Sequence, residues 1–393
     1  MAEREGFEPS IRFWRILTFQ ASAFDHSATA PHALEGAALT AWKRFRKGGK
    51  AGMVSFVMKH PLLLSAALLA SCSAAPAPAP AQGPALAPTE IVAASPASDW
   101  APIAASDLLV MDLAPDAKGA ARRVVIQLLP PPFSQGWIGN IRKLAAVKWW
   151  DGTSVNRVQD GYVVQWGDPD GEDKAKAKPL PAGLRMSSSD YDGEIPIYSP
   201  PFRGGPAMVL TPVAVALPFS DPYAHGIGFL DGWPIATETK WPIRRSPDLV
   251  KRKVSSSYWP IHCYGTVGVG RDYPPDTGSG AELYAVIGQA PRQLDRNIAV
   301  VGRVIEGMEH LSSLPRGTGD IGFYKTPEER TPILSIRIGS DVPGLPRYEY
   351  LSTESKSFAA YADARANRRD AFYIRPAGGV DICNVPVPVR RVK

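Results

Sequence analysis

From about residue 105 the chain changes character: an Ala/Pro-rich stretch gives way to short apolar runs that alternate with polar positions and are bounded by Gly, Pro, Asp and Asn. A period of two marks strands, because successive side chains leave opposite faces of an extended chain. Residues 108–113 and 122–129 read as strands, 139–147 as a helix, then 155–158 and 162–166 as strands, which together predict a mainly β domain. Between 170 and 262 the pattern loosens into a Pro/Gly/Trp-rich insertion that opens on the charge run from Lys174 to Lys178, read as a solvated loop. A structureless loop of that length does not suit a compact domain. Residues 209–217 therefore read as an added strand and 226–233 as a segment packing over the domain; the insertion is either surface elaboration or one wall of a groove. Residues 341–393 form a C-terminal extension with a helix over about 357–369. Its Phe358, Ala359, Tyr361 and Ala362 share one face, predicting that the extension packs onto the domain.

The N-terminal part is organised differently. Residues 53–72 combine a short positive region, an apolar run too brief to span a bilayer comfortably and a small-residue cleavage context, the parts of a secretory signal. Leu69-Ala70-Ser71-Cys72 resembles the bacterial lipobox, which implies acylation of Cys72 and a periplasmic protein anchored to a membrane by lipid; an ordinary cleaved signal with an incidental cysteine is the alternative. With a start at Met53 or Met58, residues 1–52 are read as spurious or disordered, or else as a cytoplasmic extension. Residues 73–104 are Ala/Pro-rich and read as an extended tether.

Charge narrows the partners. The formal net charge is +6, but beyond residue 71 there are 35 basic against 33 acidic residues, so no basic patch points to nucleic acid. Apart from Cys72 only Cys263 and Cys383 remain, which in an oxidising compartment either pair or stay as two buried thiols. His225, His262 and His310 lack metal-ligand spacing and read as loop or packing residues, and no metal site is expected. Gly268-Val269-Gly270 is an isolated Gly-x-Gly without a helix start behind it, so it carries no phosphate-binding logic.

The densest chemistry lies in Val155-Asn156-Arg157-Val158-Gln159-Asp160-Gly161-Tyr162-Val163-Val164-Gln165-Trp166-Gly167-Asp168. Even spacing lets Arg157, Val163 and Gln165 share one strand face, whereas Tyr162 has the wrong parity unless Gly161 bends the chain. The motif resembles the signature of the cyclophilin-type peptidyl-prolyl isomerases. Trp149-Trp150-Asp151-Gly152, Gly265 to Gly270, Ser279 to Tyr284, Gln293-Leu294-Asp295, Val301 to Met308 and Thr331 to Ile338 follow that family's order. The resemblance implies a closed eight-stranded antiparallel barrel capped by helices, over residues 105–340 with the insertion inside it. It further implies Arg157 as catalytic cation, Gln165 as the group that holds the substrate backbone, and Tyr162, Val163, Tyr284 and Leu294 as a cup for proline.

Rotation about a prolyl bond faces a barrier near ~20 kcal/mol and needs neither nucleophile nor cofactor. A guanidinium that donates to the imide nitrogen as it regains its lone pair is suited to the task. The chain departs from the family pattern at Glu282, where glutamine is usual, placing a carboxylate near Arg157 to orient it or compete for it. Gln293 stands for a tryptophan, Ile298 for a histidine and Val301 for a phenylalanine, which predicts a less aromatic cup. The expected protein is a monomeric isomerase, without cofactor, acting on proline-containing segments of exported proteins. The competing expectations are a weak or inert peptide-binding module of the same fold and an envelope structural lipoprotein.

Overall fold

The alternating runs close on themselves. The computed structural model describes residues 85–185, 221–240 and 254–392, together with the backbone of strands at Gly193–Ile197 and Val215–Ala216. The extension 1–52, the signal 53–72 with Cys72, the start of the tether and most of the strand expected at 209–217 lie outside the described residues.

Helix α1 (Pro88–Ala94) and strand β1 (Trp100–Ile103) come first, followed by β2 (Leu108–Leu113), β3 (Arg122–Leu128), helix α2 (Gln135–Ala146), β4 (Ser154–Val158) and β5 (Val163–Gly167). The insertion contributes β6 (Gly193–Ile197), β7 (Val215–Ala216), β8 (Gly226–Leu230), β9 (Trp233–Lys240) and β10 (Val254–Pro260). Then come β11 (Thr266–Val269), β12 (Leu283–Val286), β13 (Val300–Glu306), helix α3 (Met308–Ser312) and β14 (Thr331–Ile338). The extension adds β15 (Tyr348–Leu351), helix α4 (Lys356–Ala366) and β16 (Val389–Arg391).

Eight of these strands form a closed antiparallel barrel in the order β11-β12-β5-β4-β14-β2-β3-β13, so the sheet has no free edge. Parity decides what each strand sends inward. Val164 and Trp166 of β5 and Leu283 and Ala285 of β12 join the main apolar core with Met111, Ile126 and Ile336, while Val163, Gln165 and Tyr284 face the other way. Each large aliphatic group buried in this way contributes about 1.5–3 kcal/mol. Helix α2 lays Trp137, Ile138, Ile141, Leu144 and Ala145 against that core, the stripe of an amphipathic helix.

The insertion forms a sheet of its own, β6-β10-β9-β8-β7, whose two faces serve different cores. Trp233, Ile235 and Tyr258 join the barrel core; Ile227, Phe229, Ala236 and Trp259 join a second core with Phe358, Tyr361 and Ala362 of α4. Helix α4 therefore packs on the insertion rather than on the barrel, with Phe358 edge-on to Phe229 at 4.9 Å between ring centres. Ala359, expected on its apolar face, is exposed. The extension meets the barrel through β15, where Tyr348 packs with Leu108 and Val125. Residues 85–104, included in the tether by composition, are structured: Trp100 is buried, β1 pairs with β15, and Trp100 stacks under the guanidinium of Arg390 at 3.7 Å. The alanine and proline content hid this because the packing is carried by a few residues, Ile91, Val92, Trp100 and Ile103. Cys263 and Cys383 form a disulfide that ties the chain just after β10 to the extension, 120 residues away.

Candidate active site

Arg157 and Gln165 lie on neighbouring strands, β4 and β5, rather than on a single one. The chain reverses between them in a turn where Tyr162 N–H donates to the Gln159 carbonyl, and Gly161 adopts φ +63°, a conformation glycine takes without steric penalty. A register shift between Val155 and Arg157 brings Arg157 directly opposite Gln165. Gln165 is in turn opposite Tyr284 on β12, and Tyr284 opposite Gly268 on β11. One cross-strand row thus carries Arg157, Gln165, Tyr284 and Gly268 on the face turned away from the barrel core. Val163 shares this face two residues before Gln165, and Tyr162, outside the strand, reaches the row through its ring, 5.8 Å from the Arg157 guanidinium.

The guanidinium is held on several sides. Arg157 Nη1 donates to Gln165 Oε1 at 3.2 Å, Nη2 donates to Gln159 Oε1, and Nε donates to the Ile321 carbonyl at 2.9 Å. Phe323 covers it from another direction, 5.4 Å from ring centre to cation, and its backbone bridges that of Arg157. Arg157 is consequently only 1% exposed. Burial lowers its pKa to about 10, so it stays a cation at neutral pH while being short of water. Ile321 has φ +49°, a left-handed conformation costly for a β-branched residue by about 1–2 kcal/mol. That strained turn is what aims its carbonyl at Arg157.

Glu282 meets Arg157 through an intermediary. Gln165 Nε2 donates to Glu282 Oε2 at 3.2 Å while Gln165 Oε1 accepts from Arg157, so the amide relays between carboxyl and cation. The Glu282 side chain packs against two glycines: a Cβ on Gly167 would lie 2.6 Å from its carboxyl, and one on Gly270 would lie 2.9 Å from its Cβ. Burial there pushes its pKa up to about 8, with Glu172 and Asp168 adding repulsion, which keeps the carboxyl largely uncharged at neutral pH.

Tyr284 is anchored by a network that spacing did not reveal. Its hydroxyl is 2.9 Å from His262 Nε2, and His262 Nδ1 is 2.9 Å from Asp295 Oδ1. Asp295 also accepts from Arg292 Nε at 2.6 Å, and Arg292 forms an ion pair with Asp221 from the insertion. His262 is fully buried and is a packing residue with both ring nitrogens engaged. Leu294, buried on the short helical turn Arg292–Leu294, is placed by the same network through its neighbours on either side. Gly268 and Gly270 also find their reason here: they leave room for the side chains of Tyr284 and Glu282. The only advance sign was the pair of glycines in a strand, which often marks close approach of another group.

The structure thus joins Arg157, Gln165 and Glu282 by hydrogen bonds, sets Val163 and Tyr284 beside them by register, and stacks Tyr162 on the cation. Of the other departures, Gln293 is exposed, Ile298 half-buried, and Val301 lies in the barrel core rather than in the cup. Among the described residues no group of three or more His, Cys, Asp or Glu is placed to hold a metal, and no helix is long and apolar enough to cross a membrane.

Comparison with known proteins follows the same lines. The solved cyclophilin AquaCyp293 from Hirschia baltica matches 75% of this chain and 94% of its own at 21% identity, with a TM-score of 0.51, a likeness of fold. Two structures of a cyclophilin-type peptidyl-prolyl cis-trans isomerase from Cryptosporidium parvum, one in the presence of the dipeptide Ala-Pro, match 59% and 58% of this chain. They cover 97% and 98% of their own chains, at 14% and 13% identity and TM-scores of 0.32 and 0.30. No curated protein sequence matches. The family model of the cyclophilin-type peptidyl-prolyl cis-trans isomerases matches residues 137–338, just over half of the sequence, and the chain belongs to that family.

Proposed function

We propose that this isomerase turns prolyl bonds of exported polypeptides, with Arg157 as the catalytic cation. The observation that carries the reading is the cross-strand row in which Arg157 stands opposite Gln165, next to Tyr284 and Val163. In the twisted transition state the imide nitrogen gains electron pair density, and a poorly hydrated guanidinium stabilises that charge more than it would in water. Gln165 holds the guanidinium and offers its amide to the substrate backbone, while Tyr162, Val163, Tyr284 and Leu294 form the apolar wall for the pyrrolidine ring. No bond is made to the substrate, so neither cofactor nor nucleophile is required. Substrate reaches Arg157 once the short segment from Asp320 to Phe323 moves aside.

The disulfide between Cys263 and Cys383 supports an oxidising compartment, and the signal-like segment ending at Cys72 supports lipid anchoring in the periplasm. Labelling with a fatty-acid analogue, lost on Cys72→Ala, tests the anchor.

The 1% exposure of Arg157 favours a second reading, a peptide-binding module of the same fold with weak turnover. A protease-coupled assay on a prolyl tetrapeptide separates the two. The isomerase reading expects turnover that falls at least tenfold in Arg157→Lys, with circular dichroism unchanged. Native protein that binds the peptide without accelerating isomerisation overturns it in favour of the module.

A further inference from the structure

A cavity of about 220 Å³ lies outside the row just described, bounded by β9, β11, β13 and the extension. Its walls are mostly apolar: Trp233, Pro260, Val300, Ile382 and Val387, with the Cys263–Cys383 disulfide on one side. Thr266 and Tyr264 add hydroxyls, and the one charged wall residue among the described residues is Arg303 of β13. Its Nε and Nη2 donate to Gln127 Oε1 at 3.0 and 2.8 Å, its Nη1 donates to the Gly232 carbonyl at 2.8 Å, and its plane stacks on Trp233 at 4.5 Å.

Every one of these contacts is to an uncharged group. Other arginines of the protein have carboxylate partners: Arg292 pairs with Asp221 and Asp295, Arg296 with Glu238, Arg390 with Glu349 and Arg391 with Glu306. Among the described residues Arg303 meets no carboxylate. Its pKa is lowered to about 10 by burial, with only the phenol of Tyr350 acting the other way. Arg303 is half-buried, and a cation drawn out of water without a counter-ion is costly, so such groups are ordinarily paired. A guanidinium has five N–H donors and three are used, which leaves one on Nη1 and one on Nη2. The indole N–H of Trp233, another wall residue, is also buried without an acceptor.

We propose that this cavity binds a monocarboxylate on an apolar body, the carboxylate taking the two free donors of Arg303. One positive charge in an apolar setting matches a monoanion, whereas a dianionic phosphate would lose more hydration than a single cation returns. The volume equals roughly seven waters at about 30 Å³ each, enough for a ligand the size of a phenylalanine side chain with its acid. Such a group comes from a free aromatic or aliphatic acid or from the C-terminus of a polypeptide. Both present the same chemistry.

Titration calorimetry on the whole purified chain tests the site, with 3-phenylpropionate against its amide, and a tetrapeptide ending in phenylalanine with a free against an amidated terminus. The expected result is that at least one acid binds ten or more times tighter than its amide. Binding of 3-phenylpropionate points to a free acid, and binding of the peptide acid alone points to a chain end. Equal affinity of acid and amide in both pairs, or no binding of either acid at millimolar concentration, overturns the proposal. Arg303→Gln, which keeps hydrogen-bonding capacity and removes the charge, is expected to weaken the acid tenfold or more; unchanged affinity in the folded variant also overturns it. Should that variant misfold, Val387→Phe, which fills the cavity with Arg303 intact, is expected to abolish binding, and retained binding counts against the site.

Discussion

The phenol of Tyr284 lies across Gly268, so closely that a methyl group at position 268 would sit 2.3 Å from its hydroxyl. Tyr284 cannot step aside, because its hydroxyl is held by His262 and the ring is 5% exposed. Gly268→Ala should therefore act as overpacking and lower stability by about 1–3 kcal/mol. Because Tyr284 borders Gln165 in the same row, prolyl-isomerase activity should fall as well. Denaturant unfolding with a coupled activity assay measures both; an alanine tolerated without loss would show that the phenol is free to move.

Arg157 is covered by a segment that carries its own strain. Phe323 stacks on the cation, and the carbonyl of Ile321, at φ +49°, accepts from Arg157 Nε. Phe323→Ala opens that side, and the expected outcome is a several-fold rise in kcat/KM toward a prolyl tetrapeptide with some loss of stability. If the cover instead completes the substrate site, the same substitution lowers kcat/KM.

Glu282 gives the protein a pH dependence that its usual glutamine would not. With its folded-state pKa raised from 4.5 to about 8, its stabilising contribution is full below 4.5 and is lost as pH rises through about 8. Stability should decline across that window, and activity should drop near its upper end as an ionised carboxylate draws Gln165 and opposes the charge of Arg157. Glu282→Gln should flatten both profiles; thermal melts and kcat/KM from pH 5 to 9 are the check.

The disulfide closes a loop over 120 residues, joining the end of the insertion to the extension. Replacing Cys263 and Cys383 by serine together should cost about 2–5 kcal/mol. Equilibrium unfolding of the variant, compared with the native protein in oxidised and reduced buffer, measures it; equal stability in all three would mean the packing of α4 against Phe229 holds the extension unaided.

Much of the barrel was readable along the chain. The strands at Leu108–Leu113, Arg122–Leu128 and Val163–Gly167 follow from alternation within a few residues of the expected bounds, and α2 begins four residues before its expected start. The same alternation put Val163 and Gln165 on one face, whereas Arg157 joins them by register across a turn and not by parity along one strand. The bend at Gly161 brings Tyr162 to that face from the turn, one residue before the strand begins, while composition misread residues 85–104, where a few large side chains outweigh many alanines. His262 had no readable role because its partners, Tyr284 and Asp295, are 22 and 33 residues away.

Local periodicity, which depends on neighbours a few residues apart, sufficed for the mainly β class, and the family resemblance carried by the order of short motifs implied the barrel and singled out Arg157 and Gln165 as candidates. Tertiary structure alone decided that Ile321 caps Arg157 from 164 residues away, that Gln165 stands between Arg157 and Glu282, and that Arg303 is half-buried against Trp233 without a carboxylate partner among the described residues. The physical reason is that burial and charge compensation are properties of where distant strands meet, and no stretch of sequence carries them until the barrel has closed.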